Sequence, residues 1–329
     1  MTFRRVLRLL GLLAGFAAGL TAAIVAVFTR RMIAPPRQPL WCTPDDMGLP
    51  YENVDFPARD SVRLSGWFIP AARAVDGGGG NPTVILVHGW GWNRLGDAAG
   101  DIVADLSGST PVELLRLAHA LHYDGYHVLM YDQRNHGESA AHPPVTFGQT
   151  EAEDLLGAIA YLQTRPELGA GTRGAARIGA IGFSMGANAI LYALARTDDL
   201  RAAIAVQPMT MTTYSEGYAA DLLGPLAAVV EPLVETAYGA ITGIPLRALQ
   251  PAFAAAGAAA GNDARAQTPV LFVQCKADRW GSLADAERLA AATPASEGPL
   301  YVDGDHRYQG YQYLIDNPRI ATTFLEQHL

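Results

Sequence analysis

Cysteine is scarce in this chain: Cys42 and Cys275 are the only two among 329 residues. That count excludes a disulfide-rich scaffold and a zinc site built on cysteines, and no metal is expected. Basic residues are in deficit, 24 Lys and Arg against 32 Asp and Glu, for a net charge of −8. Electrostatic binding of nucleic acid needs a basic footprint, so nucleic acid is excluded as a partner. Charge of either sign is sparse at 17 %, while half the residues are hydrophobic, which excludes a disordered chain. Internal repeats are absent, and after the first 31 residues no second comparable apolar run occurs. What remains is length enough for one large domain or two small ones, burying roughly three quarters of the unfolded surface.

The charge is uneven. Residues 1–31 hold five arginines and no acid, so the remainder has 19 basic against 32 acidic residues, or −13. Arg4, Arg5 and Arg8 precede an uncharged run from Leu9 to Phe28, which Arg30 and Arg31 close. A helix of that length, rising about 1.5 Å per residue, is about 30 Å long, the thickness of a bilayer's hydrocarbon core. A cleaved secretory signal has a shorter apolar region of about 7–15 residues, and no convincing A-x-A site ends this one. The expectation is a retained membrane anchor over residues 1–34, with residues 9–28 in the membrane; a cleaved signal and a buried helix are the alternatives. Arginines stand on both sides of the run, so the positive-inside rule favours neither orientation strongly. A short cytoplasmic amino tail places residues 35–329 outside the cytoplasm on a single span.

Beyond Pro35 and Pro36, strands and helices alternate. Short strands are predicted over Tyr51–Phe56 and Val62–Ile69, joined at Arg59-Asp60, and the glycine-rich stretch Asp76–Pro82 reads as a hairpin connection. Val84-Ile85-Leu86-Val87 is an unbroken apolar run, as in a strand buried on both faces. Further strands are predicted over Tyr126–Tyr131, Arg177–Gly182, Ala202–Val206, Val270–Cys275 and Leu300–Val302. Capping boxes at Thr110–Glu113 and Thr150–Glu153 open helices. Another helix starts near Ser282–Asp285, and the last has Asn317 as its cap with Pro318 in its first turn. Two leading strands followed by strand–helix alternation predict one α/β domain with a mostly parallel sheet.

Gly182-Phe183-Ser184-Met185-Gly186 follows an apolar strand and precedes Ala187–Ala195, a stretch of helical composition. A nucleophilic serine at such a junction needs small residues two positions before and after it, so that the backbone turns sharply and lifts the hydroxyl above the sheet. The following helix points its free N–H groups at the place where negative charge develops. As a bare pattern G-x-S-x-G occurs by chance; the strand–turn–helix context gives it weight.

Serine is not a base. His306, in Asp303-Gly304-Asp305-His306 just after the last strand, belongs at the sheet edge where Ser184 emerges; the plain alternative is an ordinary loop histidine. Asp278, three residues beyond Cys275, supplies an orienting acid, in the order serine, acid, histidine. Asp303 and Asp305 are the rivals, but a residue so near His306 has difficulty holding the far side of the same ring. His88-Gly89-Trp90-Gly91 ends the third strand, and the N–H of Trp90 paired with that of Met185 makes an oxyanion hole. His88 reads better as packing beneath this loop than as a catalyst. The run Asp132–Ser139, His136 included, reads as a tight polar turn.

Together, His88-Gly89, the Asp132–Ser139 turn, the Ser184 elbow, Asp278 and His306 resemble the α/β-hydrolase superfamily. The hairpin bearing Gly66-Trp67-Phe68-Ile69-Pro70 resembles bacterial serine hydrolases grouped with dienelactone hydrolase and prolyl oligopeptidase catalytic domains. The resemblance covers about residue 50 to the end. It implies the α/β-hydrolase fold: an eight-stranded sheet with helices on both faces, and a helical cap between strands six and seven. It also implies hydrolysis of esters or amides through an acyl-enzyme. Trp90 stands where several lipase branches have glycine, and Cys275 where these proteins often have glycine, so no substrate is carried over from relatives.

Residues 212–268, rich in Ala and Leu and broken by Pro225, Pro232, Pro245 and Pro251, fit the cap and its scaffold helices. With Trp90, Trp92 and Tyr214 they are expected to wall an apolar acyl pocket, and a membrane-facing role is one reading of them. The expected reaction is hydrolysis of a small-molecule ester or acyl compound. His306 takes the Ser184 proton, Asp278 orients the ring, and the Trp90 and Met185 N–H groups hold the oxyanion. No cofactor is needed. A peptidase, amidase or acyltransferase on the same triad, and an inactive membrane-tethered binding protein, are the alternatives. Removing residues 1–34 is expected to leave a soluble, active enzyme.

Overall fold

Val84 and Leu86 pack into one layer of the core, Ile85 and Val87 into the other, and all four are buried, which is why that run is apolar without a break. The computed structural model describes residues 3–74, 80–168, 176–252 and 268–329. Its strands are β1 (Glu52–Pro57), β2 (Arg63–Ile69), β3 (Thr83–Val87), β4 (Gly96–Asp97), β5 (Val112–Glu113), β6 (His127–Tyr131), β7 (Ile178–Phe183), β8 (Leu200–Val206), β9 (Val270–Cys275) and β10 (Ser296–Val302). Eight of them form one sheet in the order β1-β2-β6-β3-β7-β8-β9-β10, while β4 and β5 make a separate two-stranded ribbon. β2 pairs antiparallel with both β1 and β6 at one edge, and the other pairs are parallel. The predicted mostly parallel, eight-stranded α/β architecture is the observed one.

The helices are α1 (Phe3–Ile33), α2 (Ile102–Ser107), α3 (Leu114–Tyr123), α4 (Glu151–Gln163), α5 (Met185–Leu194), α6 (Met211–Leu223), α7 (Ala227–Thr242), α8 (Leu283–Ala292), α9 (Arg307–Asp316) and α10 (Pro318–His328). α4, α5 and α8 cover one face of the sheet. α3, α9 and α10 cover the other, joined by buried residues of α6 and α7, which sit between the sixth and seventh strands of the main sheet. Residues 253–267 of the expected cap and residues 75–79 of the expected hairpin connection lie outside the described residues.

Both early capping boxes need correction. Val112 and Glu113 pair with Asp97 and Gly96 as strand, so α3 starts only at Leu114 and Thr110 caps nothing. At α4, Thr150 makes no side-chain cap; its N–H donates to Thr146 Oγ1 at 2.7 Å, and the Glu151 carboxylate accepts from the Thr146 and Gly148 N–H groups. Ser282 does cap α8, accepting from the Asp285 N–H at 3.1 Å.

α1 is 31 residues long, with a mean hydropathy of 2.2 in its most apolar window, and that window is exposed, so a buried core helix is not what it is. Its last turns are different. Thr29 and Met32 are buried, Arg31 pairs with Asp101 at 2.9 Å, and the Ile33 carbonyl accepts from the Val145 N–H. A border at residue 34 therefore cuts through packed structure: removing residues 1–34 strips Met32 from the core.

Candidate active site

The Ser184 elbow is built by close backbone approach. A Cβ on Gly182 would lie 2.5 Å from the Gly186 carbonyl oxygen, and one on Gly186 2.2 Å from that of Val87, so neither position accepts a side chain. Ser184 itself sits at φ 54° and ψ −116°, a strained conformation for a residue with a side chain. It is held there by its N–H, which donates to the Val206 carbonyl at 2.9 Å, and by its carbonyl, which accepts from the Asn188 N–H. That last bond is the first of α5, so the Met185 N–H at the helix start is left outside the ladder. In the loop after β3, the Gly91 N–H donates to His136 Nε2 and the Trp92 N–H to the Gly89 carbonyl; among the described residues the Trp90 N–H has no acceptor.

Ser184 opens into a cavity of about 380 Å³ that Trp90, Trp92 and Tyr214 also line, so the expected pocket residues share one space with the serine. Residues with no local signal in the sequence also surround the serine. Met209, in the loop after β8, accepts a hydrogen bond from the serine hydroxyl through its sulfur at 3.4 Å, and Asn188 fixes that loop by bonding both the N–H and the carbonyl of Met209. Arg307 is 1 % exposed and sits within the same cluster. It donates to the Gln207 carbonyl at 2.8 Å and to the Tyr311 hydroxyl at 2.7 Å, and lies 3.9 Å from Asp278. Burial works against its charge, but Asp278 and the neighbouring phenols outweigh it and keep the guanidinium protonated. Burial pushes the Tyr311 phenol up to about 12, against the pull of Arg307 and of a hydrogen bond with Ser184. Trp90 Nε1 and Arg307 Nη1 are buried donors without a partner among the described residues, and both residues line the cavity.

Asp278 is buried where β9 ends; it accepts from the Trp280 and Gly281 N–H groups at 2.9 and 3.1 Å and from Gln274 Nε2 at 3.1 Å. Asp303 and Asp305 are exposed, Asp303 pairing with Lys276 at 2.8 Å, so neither rival acid is buried beside the serine. His306 is half-buried and caps α9. Its Nε2 donates to the Ser107 carbonyl at 3.1 Å, its Nδ1 accepts from the Tyr308 N–H at 3.4 Å, and its ring meets the Trp280 face edge-on at 5.0 Å. No hydrogen bond joins it to Ser184 or Asp278 among the described residues. The structure thus brings Ser184, Asp278 and Arg307 into one buried cluster and leaves His306 at its margin. The physical reason is Arg307, whose guanidinium occupies the space beside Asp278. Burial first, then the Arg307 charge, lower the His306 pKa, while Asp278 raises it.

The other two histidines near the loop are locked. His88 donates from Nδ1 to the Gly89 carbonyl at 2.7 Å and accepts at Nε2 from the Gln133 N–H at 2.9 Å. His136 bonds the Arg134 carbonyl and the Gly91 N–H. Burial pushes their pKa values down to about 4 and about 3. The turn they belong to satisfies its own backbone: Asp132 accepts from the Arg94 and Glu138 N–H groups, and Ser139 Oγ donates to the Asp132 carbonyl at 2.5 Å. Both readings of these histidines as structural hold.

Residues 84–322 match the alpha/beta hydrolase family. Among solved structures, an esterase of Pyrococcus furiosus, Pf2001, superposes with a TM-score of 0.63 at 23 % identity over 90 % of this chain and 98 % of its own. The acylaminoacyl peptidase of Pyrococcus horikoshii gives 0.56 at 16 % identity, over 85 % of this chain and 42 % of that one. The alpha/beta hydrolase GrgF from Penicillium gives 0.53 at 19 % identity, over 85 % and 99 %. No curated protein matches the sequence. These likenesses are of fold; the family match covers most of the chain. The protein belongs to the alpha/beta hydrolase family.

Proposed function

We propose that the protein hydrolyses carboxylic esters through Ser184, with His306 as base and Asp278 as the orienting acid. The observation that carries this reading is the strained Ser184 elbow, opening into a cavity partly walled by Trp and Tyr side chains beside the unused N–H groups of Trp90 and Met185. Ser184 Oγ attacks the ester carbonyl while His306 takes its proton. The C–O bond then breaks as His306 returns that proton to the leaving alkoxide. Water, deprotonated by the same ring, attacks the acyl-enzyme and releases the acid and Ser184. The two orphaned donors, Trp90 Nε1 and Arg307 Nη1, suit substrate oxygens.

The ring must first move. A base for Ser184 needs a bare Nε2 and a proton on Nδ1 toward Asp278, whereas the present partners put the proton on Nε2. The bond from the Tyr308 N–H is stretched to 3.4 Å, so substrate entry has one ordinary hydrogen bond, to Ser107, to displace. A fluorophosphonate probe should label the wild type and not Ser184→Ala; absence of labelling of folded wild-type protein would favour the inactive binding protein. An ester series run beside amide substrates separates an esterase from a peptidase.

Residues 9–28 are read as a single span with the catalytic domain outside the cytoplasm. An alkaline phosphatase fused to the carboxyl end, active only after export, tests the orientation. Because Thr29 and Met32 are buried, truncation before residue 23 is expected to keep the fold, and truncation at 34 to destabilise it.

A further inference from the structure

The anchor and the cap are one unit. From Ala18 to Ala34, the first helix and its exit run beside α7, and an apolar groove between them is lined by Ala22, Val25, Leu233, Ala237 and Ile241. If Leu9–Phe28 lies in hydrocarbon, residues 18–28 occupy about 15 Å of its depth, about one leaflet. Lifting α7 clear of the bilayer would leave residues 3–17, about 22 Å of helix carrying three arginines, too short to span. The surface of α7 and its approach agrees: Leu226, Val229, Leu233 and Ile241 are 60, 58, 46 and 68 % exposed. The two acids of α7, Glu231 and Glu235, are only partly exposed, and Glu231 accepts a hydrogen bond from Ser215 on α6 at 2.7 Å. A patch of this kind marks an interaction site, and its continuity with the anchor identifies the bilayer as its partner.

A second feature joins this face to the serine. A narrow apolar slot between α1, α6 and α7 is walled by Phe28, Met32, Ala219 and Val234, and it shares Trp90, Tyr214 and Tyr218 with the Ser184 cavity. The anchor helix therefore contributes to the substrate site itself. We propose that α7 and the adjoining face of α1 lie within one leaflet, and that the substrate is a membrane-resident ester whose acyl chain reaches Ser184 through this slot. This rests on the ester-hydrolysis reading and on residues 9–28 as the span.

Full-length protein in phosphatidylcholine vesicles provides the test. Val229→Trp should gain emission that brominated phosphatidylcholine quenches; gained emission quenched by aqueous iodide and not by the brominated lipid overturns the placement, and this readout needs no activity. For the substrate, hydrolysis of a long-chain diacylglycerol in the vesicle is compared with that of soluble p-nitrophenyl butyrate. The ratio should fall at least tenfold in Val229→Glu/Leu233→Glu, and Ala219→Phe should move the preferred acyl length downward. An unchanged ratio together with an unchanged chain-length profile overturns the route. So does conversion of a dimer to a monomer by the double variant at constant ratio, which would make this face an interface between copies. Should Ser184→Ala retain both activities, the ester reading fails while the bromolipid result still decides the placement.

Discussion

His88 and His136, whose rings meet edge-on at 5.1 Å, live under a regime opposite to that of His306. The first two are buried, with both ring nitrogens bonded and pKa values pushed by burial to about 4 and 3. His306 is half-buried, holds one carbonyl, and accepts a second bond stretched to 3.4 Å. A ring committed at both nitrogens cannot exchange a proton without breaking the fold around it, whereas a loosely held one can. The proposed mechanism accordingly assigns the chemistry to the histidine with slack.

The largest effect is expected at the serine. Ser184→Ala should fold normally, because the strained turn is set by its neighbours, and should lose turnover by roughly a millionfold, since triad members act as a unit. Ester hydrolysis near the wild-type rate in purified variant would remove Ser184, and with it any need for a mobile histidine. The next largest effect is expected at Asp278, where Asn keeps the shape but loses the charge supporting the imidazolium, lowering turnover by up to about ten-thousandfold. Asp305→Asn should be mild, as that residue is exposed; the reverse ranking would give the acid's role to Asp305.

Stability should sort the histidines the other way. His306→Asn is expected to abolish turnover with little change in the unfolding midpoint. His88→Ala strands the buried Gln133 N–H, while the Gly89 carbonyl keeps its bond from the Trp92 N–H, and should cost about 1–3 kcal/mol for the donor left unpaired. The pH dependence follows. His88 binds a proton at about 6.5 when unfolded but only near pH 4 when folded, so its contribution is present above pH 6.5 and lost as pH falls toward 4. Urea midpoints at pH 7 and pH 4.5 should therefore converge in His88→Gln relative to wild type. An equal pH slope in both proteins would show that His88 is not held neutral.

The parts of the molecule legible in the sequence are those written in short-range pattern. The burial of β3 on both faces, the glycines of the elbow and the cap of α8 each follow from a few consecutive residues. Thr110–Glu113 was misleading because a local capping pattern lost to pairing with Gly96 and Asp97, a tertiary contact. Arg307, Met209 and Tyr311 carry no local signal: an arginine beside a loop histidine looks like a surface residue until Asp278, Gln207 and Tyr311 close around it. The first helix was legible as an apolar run, but the run gives no hint that its last turns enter the core or that Arg31 borders the Ser184 cavity.

Arg307 also bears on the pH profile, where the smallest effect is expected. A general base works when neutral, so with His306 in the proposed role the rising limb of kcat/KM should track its pKa in the free enzyme. Burial and the Arg307 cation both disfavour the imidazolium, which places the limb below the ordinary value of 6.5. Replacing Arg307 with Met removes one of those two effects, so the limb should move to higher pH, by about one unit or less. Asp278→Asn removes the charge that favours the imidazolium and should move the residual activity's limb to lower pH. Opposite displacements in the two variants require a titrating ring that both groups face, which describes His306 and neither locked histidine. A limb that stays in place in both variants would mean that another group, outside this cluster, takes the serine proton.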